Sequence, residues 1–478
     1  MEEAQLPQVV VDLRPLRRIL GRAEARLGIL AFAAYALLTN HILSSGPDGL
    51  TLMTQAALFF HRTFAVIGPS WMYTNDVQDL VQVGRYWYGA QSYGLALLLM
   101  PLAIIGLAAD GRYEAFGLAS LLDRLAVAAI SAAAVALAYR AMAYFTGRPR
   151  DSALAALALA FSTTLWPFSE VIYYHPLSAL ATVYYIYAAV RYLRGELGRG
   201  RLLAASIFLG LAAWIDYSLA AAALALGALT LILSRLSLHL DGGARREAAW
   251  SMLAIVAAPA AAQGAADYAA FGDPLFVPGL GKGSFSARGL LLHAAWYLVS
   301  TYRGLIVFDP IAYVALYYAA RSARRYPAFA AYVLAPLVAT LLFVSAWKYW
   351  DGGIGYGPRY LIAPVAALIL ALPLAGDLWS NVAFWAAFAA GFAVNALGSL
   401  QAILPAGPNN YLGFAPPFST FQLRFELRLL AAGGEPLWGT IALGAFGHPA
   451  AAAMYVAAAW ALALAGGLAI VRSLPVTS

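Results

Sequence analysis

Long apolar runs recur along the chain, and the breaks between them are short and rich in arginine. A helix needs about 20 residues to cross a bilayer. Read at that scale, the pattern predicts twelve spans, at 27–43, 116–140, 152–168, 176–193, 202–217, 219–236, 248–270, 303–320, 327–346, 358–376, 380–400 and 449–471. Arg14, Arg17, Arg18, Arg22 and Arg26 precede the first run. Later clusters are Arg140–Arg148–Arg150, Arg191–Arg194–Arg199–Arg201, Arg235–Arg245–Arg246 and Arg321–Arg324–Arg325, followed by Arg472. Cytoplasmic loops carry the excess of Lys and Arg, so these clusters put both chain ends in the cytoplasm and pair the spans as hairpins. The turn near Asp377 has no basic residue of its own.

Two apolar stretches stand apart from this count. Residues 92–109 are long enough to cross, but counting them would move Arg140, Arg148 and Arg150 outside and invert every later loop. A helix broken at Pro101 and lying in the outer interface removes the conflict. The alternative is an ordinary hairpin at 92–143 with one loop on the unexpected side. Residues 49–66 predict a second interfacial helix. The topology then has a large first external loop, 44–115, and external segments at 169–176, 271–302, 347–357 and 401–448. The expected fold class is an all-α polytopic membrane protein. Its main module is 1–376, and C-terminal helices in 377–478 flank the loop 401–448.

Composition sharpens the picture. The chain is 62% hydrophobic and 11% charged, whereas a soluble domain carries about 25% charged residues. A soluble enzyme and a disordered chain are both excluded. The net charge is +7, yet Lys282 and Lys348 are the sole lysines, and the arginines sit between apolar runs instead of along one polar face. That distribution argues against nucleic acid as a partner. With no cysteine, disulfides and thiolate metal sites are excluded. The first 25 residues hold no signal-peptide core. No phosphate-binding glycine loop, zinc motif or Ser/His/Asp elbow occurs, which argues against ATP hydrolysis by this chain.

Candidate chemistry gathers in the external segments. Asp48, in Ser-Ser-Gly-Pro-Asp-Gly-Leu, follows the first span, either as a helix cap or as a carboxylate poised to deprotonate or orient an acceptor. Asp76 and Asp79 follow in the same loop. Residues 345–361 read Ser-Ala-Trp-Lys-Tyr-Trp-Asp-Gly-Gly-Ile-Gly-Tyr-Gly-Pro-Arg-Tyr-Leu, where four glycines permit close backbone approach and aromatic residues suit sugars or lipid. Trp350, Asp351 and Tyr356 are candidate sugar or acceptor contacts. Lys348 and Arg359 are cations on the side where they are disfavoured, and arginine's planar fork suits phosphate. Lys282 and Arg303 lie on that same expected side. Glu170 and His175 sit at the outer ends of the third and fourth spans. Asp216 and the pair Asp123–Arg124 lie in apolar helices, where ionisable residues are functional candidates by default.

The stretch Trp350-Asp351-Gly352-Gly353-Ile354-Gly355-Tyr356-Gly357-Pro358-Arg359-Tyr360-Leu361 resembles the family 39-like membrane glycosyltransferases of the GT-C superfamily. Relatives in that superfamily include the dolichyl-phosphate-mannose protein mannosyltransferases and the lipid A aminoarabinose transferases. The match is to a branch with a W-x-G-G-x-x-Y-G-P-R-Y-L signature. Gly84-Arg85-Tyr86, Trp166-Pro167-Phe168-Ser169, His175-Pro176-Leu177, Phe271-Gly272-Asp273-Pro274 and Arg303-Gly304-Leu305 support it, and the similarity covers residues 25–376.

The resemblance implies a GT-C-like bundle in which an acidic residue of the first external loop acts as catalytic base or orients the acceptor. Asp48 matches it by position. It also implies a polyprenyl-phosphate-linked sugar donor, whose phosphate falls to Arg359, Lys348 and Arg303. The acceptor would be a glycan, lipid or protein, and the active site would face outside the cell membrane. Asp48 has only Gly49 and Leu50 behind it, so a divalent metal, which usually wants two carboxylates, is compatible but not favoured. The rival class is a secondary transporter or lipid flippase, and repeated halves with helices broken at the midplane would mark it.

Overall fold

The computed structural model describes residues 13–39, 47–66, 80–89, 92–112, 117–198, 200–274, 285–348, 350–352, 355–400 and 449–476. Asp76, Asp79, Lys282 and the loop 401–448 lie outside them. The helices in chain order are α1 (Leu13–Leu37), α2 (Pro47–Ala56), α3 (Gly94–Asp110), α4 (Gly117–Thr146), α5 (Pro149–Phe161), the short α6 (Leu165–Phe168), α7 (His175–Leu193) and α8 (Arg201–Ile215). They continue as α9 (Ala220–Leu236), α10 (Gly242–Phe271), α11 (Leu290–Val299), the short α12 (Leu305–Phe308), α13 (Ile311–Ser322), α14 (Pro327–Ala346), α15 (Ile362–Ile369), α16 (Val382–Leu400) and α17 (Pro449–Arg472). Each expected span is wholly or largely helical. Among the described residues, six helical segments are long and apolar enough to cross a membrane on their own. The protein is an all-α polytopic membrane protein.

One face of α1 shows how sequence becomes packing. Ala23, Leu27, Ala31, Ala34 and Leu38 recur every three or four residues and are all buried, the spacing of a helical stripe. That stripe lies on α4, and Arg140 of α4 reaches Glu24 of α1 at 3.7 Å.

The arginine-rich breaks come together at one end of the bundle. Arg148 donates to the Pro373 carbonyl at 3.4 Å, and Asp151 accepts from the Leu378 amide at 3.0 Å. Arg150 and Arg472 both lie over the Trp379 ring, at 4.7 and 5.7 Å. His239 meets the Leu193 carbonyl at 2.6 Å. The turn near Asp377 therefore sits at the arginine end although it has no basic residue itself.

The two segments expected at the interface are helical at 47–61 and 94–110, with one correction. Residues 94–110 form a single helix that runs through Pro101 without a break. Proline removes one backbone donor, but its neighbours Leu98, Leu99, Met100 and Leu102 are strong helix formers. At its start, a Cβ on Gly94 would lie 2.4 Å from Ile215, at the end of α8. Near its finish, a Cβ on Gly106 would lie 2.3 Å from Ala119, at the start of α4. Arg201 opens α8 and Arg140 lies toward the far end of α4, so both contacts are at the end opposite the arginines. The helix α3 packs on α4, with Leu97, Leu98, Leu102, Ile104 and Ile105 exposed. The helix α2 is fastened to it by Gln55, which donates to the Ala96 carbonyl at 3.2 Å. Between α2 and α3 the chain also forms an antiparallel hairpin, β1 (Leu80–Val83) with β2 (Tyr86–Gly89). Gly84, at φ +62°, makes its turn.

Two expected spans are interrupted. The span 303–320 divides at Asp309-Pro310 into α12 and α13. The span 358–376 becomes a 3-10 turn at Arg359–Leu361, then α15, then a second 3-10 turn at Leu372–Ala375. Every residue of α15 is buried. The helices after residue 376 join the same core: Gly391 of α16 lies against Ser162, and Gly398 lies against the Tyr356 ring.

The α3–α4 crossing makes a test. Gly106→Ala must push apart two backbones already in contact, at a cost of about 1–3 kcal/mol. Its melting temperature in detergent should fall, whereas Gly242→Ala, with no atom within 4 Å of the added carbon, should leave it unchanged.

Candidate active site

The end opposite the arginines carries an irregular loop between α14 and α15. It is tied on one side by a bridge between Phe285 and Trp347, with Ser286 donating from its amide to the Ala346 carbonyl at 2.7 Å. On the other side Arg303 enters it. Arg303 is 1% exposed, and its Nη1 donates to the carbonyls of Gly355 and, at 2.8 Å, Gly357. The sequence places Arg303 at the donor phosphate. Its place in the fold is beneath the loop, holding it.

The glycines of the signature have a specific neighbour. A Cβ on Gly355 would come within 2.8 Å of Arg359 Cδ, and one on Gly352, at φ +70°, within 3.1 Å of Arg359 Nε. The loop is therefore glycine-rich where the Arg359 side chain lies along its backbone. Gly357, at φ +51°, passes between Phe308 and Thr164.

Arg359 opens the 3-10 turn before α15 and is half-buried. Its guanidinium lies 5.2 Å from the ring centres of both Tyr173 and Tyr360, and Nη1 donates to the Tyr173 hydroxyl. Among the described residues no carboxylate lies within 4 Å of it, and its Nε has no partner. Aromatic faces hold such a cation without neutralising it.

Beside it is a buried histidine–aspartate hydrogen bond. His175 Nδ1 and Asp216 Oδ2 are 2.8 Å apart, and both residues are buried. Asp216 also accepts from the hydroxyls of Ser178 at 2.7 Å and Ser218 at 2.6 Å. The His175 ring stacks on Tyr173 at 5.7 Å and meets Tyr360 edge-on at 5.8 Å. His175 Nε2 is buried without a partner. Next along the chain, Tyr217 donates to Gln263 Oε1, as does Trp214 at 2.8 Å, while Gln263 donates to both oxygens of Asp267 at 2.9 Å. Gln263 and Asp267 carry no motif. Their one sequence signal is that they are polar at i and i+4 in an apolar helix, a spacing that puts both on one face.

The other candidates are scattered around this cluster. Lys348 is exposed and Asp351 half-buried, both on the loop. Trp350 stacks on His293 at 4.4 Å and 9°, against α11, and Tyr297 donates to its carbonyl. Tyr356 is fully buried, edge-on to Phe308 at 5.1 Å, with its hydroxyl on the Val394 carbonyl at 2.7 Å. Both aromatics, expected at a sugar, anchor the loop to the bundle. Glu170 is buried and accepts from Trp166 Nε1 at 2.8 Å. Asp48 lies in the first turn of α2, and its side chain is outside the described residues. Among the described residues, no three His, Asp or Glu side chains converge as a metal site would need.

A residue beneath the loop gives the second test. Arg303→Gln orphans two buried carbonyls, each costing about 1–3 kcal/mol. Limited proteolysis should then cut within 347–358, where the unaltered protein resists.

No family model matches the chain, and no curated protein sequence matches it either. Solved structures do. ArnT from Cupriavidus metallidurans in the apo state is similar over 95% of this chain and 76% of that one, at 15% identity and a TM-score of 0.51. ArnT from the same organism bound to undecaprenyl phosphate aligns over 96% and 77%, at 15% identity and a TM-score of 0.49. The Archaeoglobus fulgidus oligosaccharyltransferase in complex with zinc and sulfate aligns over 84% and 57%, at 13% identity and a TM-score of 0.42. The likeness to apo ArnT, spanning nearly the whole chain, shows that the two share an overall fold.

Proposed function

We propose that the chain is a glycosyltransferase that moves a sugar from a polyprenyl phosphate to a glycan, lipid or protein acceptor at the outer face of the cell membrane. The observation that carries the reading is Arg359, a half-buried guanidinium held by two tyrosines, with no carboxylate within 4 Å among the described residues. A cation held that way favours an anion, and the resemblance of its loop to family 39-like enzymes makes that anion a lipid-linked phosphate. The fold shared with apo ArnT agrees.

In this reading the transfer is a single inverting displacement. Asp48 takes the acceptor hydroxyl proton while that oxygen bonds to the anomeric carbon, and the bond from that carbon to the phosphate oxygen breaks. Negative charge grows on the departing phosphate, where Arg359, with Lys348 at the loop edge, stabilises it. Arg303 acts from beneath by fixing the loop. Asp351 contacts sugar or acceptor, with Asp76 from the first loop, whereas His175 and Glu170, expected there too, are buried on protein partners. The pair His175–Asp216 keeps Tyr173 and Tyr360 packed around Arg359. The exposed apolar side of α3 borders a lateral entry for the prenyl tail.

The test uses purified protein with a polyprenyl-phosphate sugar and an acceptor extract. Arg359→Gln should lower transfer about a hundredfold, the scale of losing one charge-stabilising contact. Asp48→Asn should abolish transfer while leaving the melting temperature intact, and full activity in that variant would remove the base assignment. Flux of the lipid-linked sugar across sealed vesicles, with no glycosylated product, would instead identify a transporter or flippase.

A further inference from the structure

At the arginine end, remote from the Arg359 cluster, the helix ends enclose a cavity of about 300 Å³. That volume is at the small end of ligand sites. Four arginines line it: Arg148 from the turn between α4 and α5, Arg194 from the end of α7, and Arg321 and Arg325 from the end of α13. Arg148 and Arg194 are half-buried in its wall, while Arg321 and Arg325 are exposed at its rim. Phe145 and Phe329, 5.2 Å apart and edge-to-face, also line it.

Four cations around one cavity repel each other, and an anion seated among them relieves that repulsion. The lining holds no Asp or Glu. Two carboxylates lie nearby, outside the lining: Asp151 accepts from the Leu378 amide and is within electrostatic reach of Arg148, and Glu196 accepts from the Tyr144 hydroxyl and lies 4.0 Å from Arg191. Arg194 leans on the Tyr144 ring at 5.2 Å, and its Nε is buried with no partner. Arg148 makes one long contact, to the Pro373 carbonyl at 3.4 Å. Arg325 lies 5.3 Å from the Tyr326 ring centre, and Arg321 touches the Tyr317 hydroxyl at 3.4 Å. These partners are neutral. The positive-inside tendency explains arginines in these turns, but it does not require four of them around one cavity whose lining, among the described residues, has no carboxylate.

We propose that this cavity is a second binding site, for a phosphate group. Arginine forks suit phosphate oxygens, and basic pockets between membrane helices take lipid headgroups. The group could reach the cavity on an anionic phospholipid or as a free phosphate. The site is independent of the reading given to Arg359.

The experiment uses the full chain in nanodiscs of phosphatidylcholine, with or without phosphatidic acid. Native mass spectrometry reads lipid retained, and thermal unfolding reads stabilisation by added inorganic phosphate or pyrophosphate. R148Q/R194Q should retain phosphatidic acid at least about tenfold more weakly than the unaltered protein, given roughly 1 kcal/mol per cation. R321Q/R325Q, changed at exposed rim positions, should weaken it in the same direction even if the inner pair disturbs folding. R201Q/R235Q, with the same loss of charge at exposed positions away from the cavity, should retain it fully. Retention of lipid that free phosphate or pyrophosphate does not displace identifies a headgroup site. Stabilisation by free phosphate or pyrophosphate, lost in the cavity variants, identifies a soluble anion. Equal loss in all three double variants, or no binding of any probe, overturns the proposal.

Discussion

Backbone polar groups withdrawn from water must find partners, and that constraint governs the loop between α14 and α15. Irregular backbone among membrane helices is tolerated only where protein or a wet cavity receives its carbonyls. Here one buried guanidinium, Arg303, takes the carbonyls of Gly355 and Gly357. Because those are fixed, Gly357 can thread between Phe308 and Thr164, and the Arg359 side chain can lie along Gly352 and Gly355. The anchorage continues outward. Thr164 donates its amide and hydroxyl to Asp309 at 2.6 and 2.7 Å, and Asn395 donates to the Phe308 carbonyl at 2.7 Å. Four separate stretches of chain are thus joined around one glycine-rich turn.

Much of the fold is legible in the sequence because its signal is crude and additive. An apolar run long enough to cross a bilayer is hard to mistake, and the arginine breaks sort the ends well enough to place even the turn near Asp377. What escapes is local. Pro101 reads as a break, yet a single missing donor does not end a helix whose other residues favour it. The interruption at Asp309-Pro310 is written in the sequence, but the carboxylate that gives it purpose binds Thr164, 145 residues away. The strands 80–83 and 86–89 are too short, and their environment too particular, for a period to stand out.

The candidate site is legible in its residue types more than in their duties. Arginine, glycine and aromatic residues at 350–361 mark a special backbone, and that much agrees with the geometry. Which arginine holds the loop and which lies open is not readable, since it depends on Arg303 meeting Gly355 across 52 residues. Tyr356 and Trp350 look like sugar-facing aromatics because exposure cannot be read from a residue name. The polar group Trp214, Tyr217, Gln263 and Asp267 escapes notice since its members are drawn from two hairpins, and none has a motif around it.

The wholly buried helix α15 has a bearing on how the chain enters a membrane during synthesis. With its leading turn it covers 11 residues, about half of what lipid alone would accept as a stable crossing. Its lateral neighbours are α5, α7, α13 and α14, and every one of them is translated before it. The segment therefore emerges from the ribosome after its whole surroundings exist. Protein, not lipid, is the solvent into which it partitions, and its hydrophobic length was free to be shortened until Arg359 stood at its head.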